Sequence, residues 1–162
     1  MILPLEQVKD RGVVRKFISK EQLQQCGIDL TLRDVFSFSS PGRIGLHNKD
    51  RKISDVKRMK FRNGEVFLPR GAYKIVYNEY VRIPDDCAGI GFPRSSLLRC
   101  GAFVHCALWD PGYEGRSESL LVVENEKGIV LKKDARIVQL SIILLSERAK
   151  RLYSGAYKGE NR

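Results

Sequence analysis

Two short segments carry most of the chemistry this chain could perform. Phe92-Pro93-Arg94-Ser95-Ser96-Leu97 sets one guanidinium beside two adjacent hydroxyls. Downstream, Trp109-Asp110-Pro111-Gly112-Tyr113-Glu114-Gly115 fixes a carboxylate in a Pro-Gly turn between two aromatic rings. Guanidinium and hydroxyl donors suit phosphate oxygens. A carboxylate held by a rigid turn suits a bound metal or an attacking water. Together they indicate phosphoryl chemistry on a small molecule. Each segment also has a plainer reading: Ser95 and Ser96 can cap a short helix, and an Asp before Pro-Gly commonly bonds its own turn.

The elements that must position these groups are short and β-rich. Leu3 to Gly12 reads as a small amphipathic helix stopped at glycine. Ser19-Lys20-Glu21-Gln22 has the spacing of a capping box and predicts a helical turn to about Gln25. Thereafter strands dominate: Ile28–Phe38, Gly64–Leu68, Tyr73–Tyr77, Tyr80–Ile83, Cys87–Phe92, an apolar run from Ala102 to Trp109, and Ile137–Leu145. Ser119–Val123 and Gly128–Leu131 look like one hairpin joined by Glu124-Asn125-Glu126-Lys127. With Gly and Pro turns and little room for crossover helices, the pattern is all-β, a closed or sandwiched barrel-like form with one or two short N-terminal helices. Residues 1–153 make one domain, and 154–162 form an arm with little to pack against, expected to be mobile when nothing is bound.

Composition narrows the partners. The 162 residues carry a net charge of +10 with 43% hydrophobic residues, which fits a globular protein that meets polyanions. The densest basic stretch, Lys49 to Arg62, reads as a solvated loop or strand edge. Four cysteines without CxxC spacing and only two histidines argue against a zinc site. Three of the cysteines sit among apolar residues and read as buried thiols. The N-terminus has no signal-peptide pattern and no apolar run is long enough to span a bilayer, so a cytoplasmic protein with no membrane partner is expected.

Five ordered pieces resemble the deoxyuridine triphosphatases, in the archaeal branch that looks like deoxycytidine triphosphate deaminase. They are Gly27-Ile28-Asp29-Leu30, Arg94-Ser95-Ser96-Leu97, Trp109 to Gly115, Arg136-Ile137-Val138-Gln139-Leu140 and, loosely, Ser154-Gly155-Ala156-Tyr157-Lys158-Gly159. The resemblance implies the distorted jelly-roll (β-clip) fold of these enzymes and a homotrimer with active sites at subunit boundaries. It also implies Mg²⁺-dependent hydrolysis of dUTP at the α-phosphorus to dUMP and pyrophosphate. In that reading Asp110 orients the attacking water, and Asp29 holds Mg²⁺ through water. Arg94, Ser95, Ser96, Arg99, Gln139 and Lys158 contact phosphates. His105, Cys106, Ala107, Leu108 and Trp109 read the base through backbone groups, Tyr113 lies against the deoxyribose where a 2′-hydroxyl would clash, and Tyr157 stacks on the base. The plainer alternatives stay open: Asp29 as a strand-start residue, Gln139 as a structural bond-maker, His105 as a satisfied structural histidine and Tyr113 as core.

Two other functions compete. In the deaminase pattern a catalytic glutamate follows the third segment; counting from Gly115 it falls on Leu120, which cannot shuttle a proton. Glu118 lies on the same strand face and would serve only after a slip or bulge, so hydrolysis is favoured over a deaminase or a bifunctional enzyme. A basic β-barrel binding nucleic acid through Tyr73, Tyr77 and Tyr80 is more remote: Tyr73 and Tyr77 share a face as core residues would, and no nucleic-acid motif is present.

Overall fold

The protein, a computed structural model described for residues 1–161, has regular structure that is mostly strand, with two short helices. In chain order these are α1 (Leu5–Asp10), β1 (Val14–Arg15), β2 (Leu23–Gln24), β3 (Gly27–Phe38), β4 (Val56–Arg58), β5 (Glu65–Leu68), β6 (Gly71–Tyr77), β7 (Tyr80–Arg82), β8 (Cys87–Pro93), α2 (Ser95–Arg99), β9 (Ala102–His105), β10 (Glu114–Gly115), β11 (Glu118–Val123), β12 (Ile129–Lys132) and β13 (Arg136–Leu144). Arg162, the last residue of the expected arm, lies outside the described residues. No described helix is long and apolar enough to cross a membrane.

The principal sheet runs β8-β13-β3-β6-β11-β9, with β2 and β4 also paired to β3. Its two ends meet where Gly89 and Trp109 form a β-bridge, so the sheet nearly closes into a barrel. The interior holds Leu30, Leu32, Val35, Ile75, Tyr77, Leu121, Val123, Ile137, Leu140 and Ile142. β3 is central and buried on both faces from Gly27 to Leu32. Its apolar residues Ile28, Leu30 and Leu32 alternate with Asp29 and Thr31, which must therefore find polar partners inside the protein. Thr31 finds Glu79: its hydroxyl and amide donate to that carboxylate at 2.6 and 2.8 Å, and Gln22 Nε2 donates at 2.7 Å.

Most sequence-level elements form, with instructive exceptions. The capping box at Ser19–Gln22 is present, but its turn ends at Gln22 and β2 takes over. The expected hairpin of Ser119–Val123 with Gly128–Leu131 does not form. β11 pairs instead with β6 and β9, while β12 pairs with β5 in a separate two-stranded sheet. The reason is side-chain alternation: Ile129 opposes Leu68 and Leu131 opposes Val66, giving β5 and β12 one shared apolar face. The apolar run from Ala102 stops being a strand at His105, whose partner is Leu120. Beyond it the chain turns so that Trp109 reaches β8. Glycines on β8 allow this approach: a Cβ at Gly91 would sit 2.8 Å from Cys106 Sγ and 2.9 Å from the Trp109 ring. Of the cysteines only Cys87 is fully buried, and that burial pushes its thiol up to about 11; Cys26 and Cys100 are exposed and Cys106 is half-buried. Tyr73 and Tyr77 are core residues, so neither offers a stacking face at the surface.

Candidate active site

Asp110 sits on a turn pinned from several sides. Trp109 exchanges backbone hydrogen bonds of 2.9 and 3.0 Å with Gly89, Tyr113 N–H donates to the Asp110 carbonyl at 3.0 Å, and Gly112 and Tyr113 bond to Ile83. Tyr153 N–H donates to the Pro111 carbonyl at 2.7 Å. Gly112, at φ +82°, adopts a conformation only glycine takes easily, and a Cβ there would meet Leu152 at 2.8 Å. The turn is held by backbone and leaves the Asp110 side chain spare. That carboxylate is exposed and, among the described residues, has no hydrogen-bond or ion-pair partner. A side chain that served only to close its own turn would be bonded to it.

A cleft of about 410 Å³ opens beside Asp110. Ala107, Leu108, Trp109 and Tyr113 line it from the central segment, and Tyr157 from the arm. The Trp109 indole donates to Ser117 Oγ at 2.5 Å, which fixes the ring as a wall. Tyr113 is buried, packs edge-on against Tyr153 with centroids 5.7 Å apart, and donates its hydroxyl to Glu160 at 2.7 Å. Burial pushes the Tyr113 phenol far above its ordinary range. Tyr157 lies half-exposed with the Arg51 guanidinium 5.4 Å from its ring centroid.

Glu118 also lines this cleft in the native register, so no strand slip or bulge is needed to bring it there. Its carboxylate is tied to Lys74 Nζ at 2.8 Å and accepts from Asn161 Nδ2 at 3.2 Å. Leu120 pairs with Lys74 and His105 on the neighbouring strands and does not line the cleft.

The second group of candidates lies on the principal sheet. Asp29 on β3 is 1% exposed and faces Arg94 at 2.9 Å and Arg136 at 3.6 Å. Neither carboxylate oxygen makes an aligned hydrogen bond among the described residues, so Asp29 is held by charge. Burial raises its proton affinity, and the two guanidiniums pull against that shift. Gln139 on β13 is opposite Asp29 on one side and Phe92 on the other; it is half-buried, with no hydrogen bond to its amide among the described residues. Arg94 caps α2, and its amide donates to the Ile137 carbonyl at 3.0 Å. Ser95, Ser96 and Arg99 follow on α2, exposed and uncommitted among the described residues. The hydroxyls of Ser95 and Ser96 do not cap the helix, since Arg94 holds that position.

These residues do not fit a directly held metal ion. The only carboxylate in the phosphate-type cluster is sealed beneath two guanidiniums, whose charge opposes a cation, and no cluster of three or more metal-ligating side chains exists among the described residues.

The arrangement therefore places Asp110 with Ala107, Leu108, Trp109, Tyr113 and Tyr157 around one cleft, and Asp29, Arg94, Ser95, Ser96, Arg99 and Gln139 elsewhere in the same chain; none of the latter lines the cleft. His105 ends β9 exposed, edge-on to Phe103. Lys158 lines a second cleft with Arg11, Arg82 and Glu114. Sequence reasoning missed Arg136 as the second cation on Asp29, although it stands at the head of the fourth motif. It also missed Ile53, Ser117, Tyr153 and Glu160 as cleft residues. Only Ser117 and Glu160, polar residues flanking recognised segments, carried any signal.

A family model described as dCTP deaminase-like matches residues 4–145. The chain is 45% identical over 144 residues to the probable deoxyuridine 5′-triphosphate nucleotidohydrolase of Methanosarcina mazei, covering 88% of this chain and 84% of that protein. It is 40% identical over 144 residues to the deoxyuridine 5′-triphosphate nucleotidohydrolase of Methanocaldococcus jannaschii, covering 88% and 90%. Among solved structures, the 2′-deoxycytidine 5′-triphosphate deaminase of Agrobacterium tumefaciens superposes with a TM-score of 0.63 at 18% identity, covering 88% of this chain and 48% of that one. The chain thus spans about half the length of that structure, and the likeness is one of fold.

Proposed function

The chain belongs to the dCTP deaminase-like family, alongside archaeal deoxyuridine triphosphate nucleotidohydrolases, and from that premise we propose that it is a dUTP diphosphatase. Water attacks the α-phosphorus of dUTP, the bond from that phosphorus to the bridging oxygen breaks, and dUMP and pyrophosphate leave. Asp110 orients the water and takes its proton. The observation that carries this reading is the Asp110 carboxylate: exposed and without a partner among the described residues, on a turn fixed by other groups, at the edge of a cleft with aromatic walls. A base of this kind must be free to bond water and rigid enough to aim it.

Arg94, Ser95, Ser96, Arg99 and Gln139 supply the phosphate contacts in this reading, and Lys158 on the arm contacts the terminal phosphate. His105 and the 106–109 backbone face the base, with Tyr157 stacked on it and Tyr113 against the sugar. Because the phosphate-type residues and the cleft residues are separate groups within one chain, we infer a homotrimer in which neighbouring subunits complete each site. Mg²⁺ carried on the triphosphate's own oxygens is compatible with the arrangement, and chelation of free Mg²⁺ decides it. A single incubation with the deoxyuridine, deoxycytidine and deoxythymidine triphosphates tests the whole: dUMP and pyrophosphate from dUTP support it, and orthophosphate release from dUTP overturns it.

One observation favours a second activity. Glu118 reaches the cleft, where a deaminase would need an acid. Uracil products from the cytidine substrate, abolished by Glu118→Gln, would establish that activity; their absence at high enzyme concentration leaves hydrolysis alone.

A further inference from the structure

The arm does something specific where it meets the cleft. Gly159 N–H donates to the Glu114 carbonyl at 2.6 Å and Arg116 N–H donates to the Glu160 carbonyl at 3.1 Å, so the arm's backbone is zipped to the chain on both sides of Gly115. Asn161 Nδ2 donates to the Arg116 carbonyl at 3.0 Å, and Arg116 returns a bond to the Asn161 carbonyl at 3.1 Å. This places Glu160 over the Tyr113 hydroxyl, 2.7 Å away. Gly115 makes the approach possible: a Cβ there would sit 3.0 Å from the Tyr113 hydroxyl and 3.2 Å from the Glu160 amide.

We propose that Glu160 is a positioning residue for sugar discrimination, locking the Tyr113 ring so that a ribose 2′-hydroxyl is refused only when the arm is zipped down. The inference rests on the reading of Tyr113 as the residue against the deoxyribose. The Tyr113 ring is buried and packs edge-on against Tyr153, in an interior dense enough that a small displacement of the ring is felt by whatever lies against it. A hydrogen bond at the far end of the ring removes the freedom to tilt. Other polar groups near the carboxylate are Glu118 and Lys74, which pair with each other across β11 and β6. Glu160 is therefore left to the phenol. The arm thus couples two events, closure and recognition of a deoxy sugar.

The test compares kcat/KM for dUTP with that for UTP on the full-length enzyme. Glu160→Ala should lower the dUTP-to-UTP ratio about tenfold, the worth of one buried hydrogen bond. Glu160→Gln, whose amide oxygen still accepts from the phenol, should restore most of it. Tyr113→Phe should match Glu160→Ala, and the double variant should fall no further. A ratio unchanged in Glu160→Ala overturns the proposal, as does equal loss on both substrates. If the wild type acts on dCTP instead of dUTP, the proposed function fails while the lock is read on the dCTP-to-CTP ratio. If it acts on neither, the lock is judged by tryptic cleavage after Lys158: a severalfold faster cut in Glu160→Ala supports it, and an unchanged rate overturns it.

Discussion

Two aspartates on this chain have the same chemistry and opposite surroundings. Asp29 lies in the middle of a central strand, sealed from water, with two guanidiniums against it. Asp110 lies on a turn, open to water, with no partner among the described residues. Around Asp29 the charge is already matched and the geometry is set by the sheet. Around Asp110 the backbone does all the holding, and the carboxylate stays uncommitted among the described residues. Residue type and motif membership do not separate a structural acid from a working one; the separation comes from which other groups already satisfy it.

The strongest way to break this comparison is Asp110→Asn. It keeps shape and removes the base, so kcat on dUTP should fall by about three orders of magnitude, while KM moves only a few-fold and thermal unfolding is unchanged. Turnover near that of the wild type would place the base elsewhere.

Arg94→Ala attacks the other aspartate. It leaves the buried Asp29 charge with only Arg136, at 3.6 Å. Removing one partner of a buried pair costs roughly 3 kcal/mol, so the unfolding midpoint in denaturant should drop accordingly. Arg94→Lys should recover part of the loss. If stability holds and only KM for the triphosphate rises, Arg94 is a ligand contact and not the clamp on Asp29.

The unequal legibility of the two regions has a physical cause. Strand existence followed from alternation, and the capping box at Ser19–Gln22 was readable because its bonds are local. Asp110 and the Trp109–Gly115 turn were readable because Pro and Gly fix the backbone there. Pairing was not local: β12 chose β5 over β11 because Val66 and Leu68 matched its alternation, a fact about a segment far away in sequence. The same holds for Arg136 on Asp29 and for Glu160 on Tyr113, contacts made by folding distant pieces together. The Ala102–Trp109 run misled because its apolar residues serve two purposes. The first half is strand, and the second crosses toward glycines on β8 that leave space for Trp109.

Glu79 is a third acid and sharpens the contrast. It is as buried as Asp29 but is held by hydrogen bonds from Thr31 and Gln22, with no ion-pair partner among the described residues. Burial raises its pKa, and the accepted bonds pull it partly back. The folded state therefore keeps this proton to higher pH than the unfolded chain does. Its contribution to stability is fully present below the ordinary glutamate range and is lost as pH rises through the raised folded value. Glu79→Gln cannot titrate and turns an amide donor toward Thr31, so the wild type should be the more stable. That advantage in melting temperature should be largest below about pH 4, the ordinary glutamate range, and narrow as pH rises toward neutrality. Opposite shifts elsewhere, such as Asp86 held down by Arg11, are common to both proteins and cancel. A gap that widens with pH would reverse the sign assigned to Glu79.

Gln139 offers the smallest and most discriminating effect. It stands beside Asp29 on the neighbouring strand, within the region that the sheet otherwise satisfies. A structural amide there would be bonded, yet its side chain has no hydrogen-bond partner among the described residues and is half-open to solvent. In that respect it resembles Asp110 more than Asp29. Gln139→Leu should therefore leave the unfolding midpoint within about 0.5 kcal/mol of wild type, the range of a change that breaks no bond. It should still raise KM for dUTP by about three- to tenfold, the worth of one hydrogen bond to a phosphate oxygen, with kcat nearly constant because the contact is made in ground and transition state alike. A clear loss of stability with KM unchanged would return Gln139 to the structural side and leave Ser95, Ser96 and the arginines as the phosphate contacts on this face.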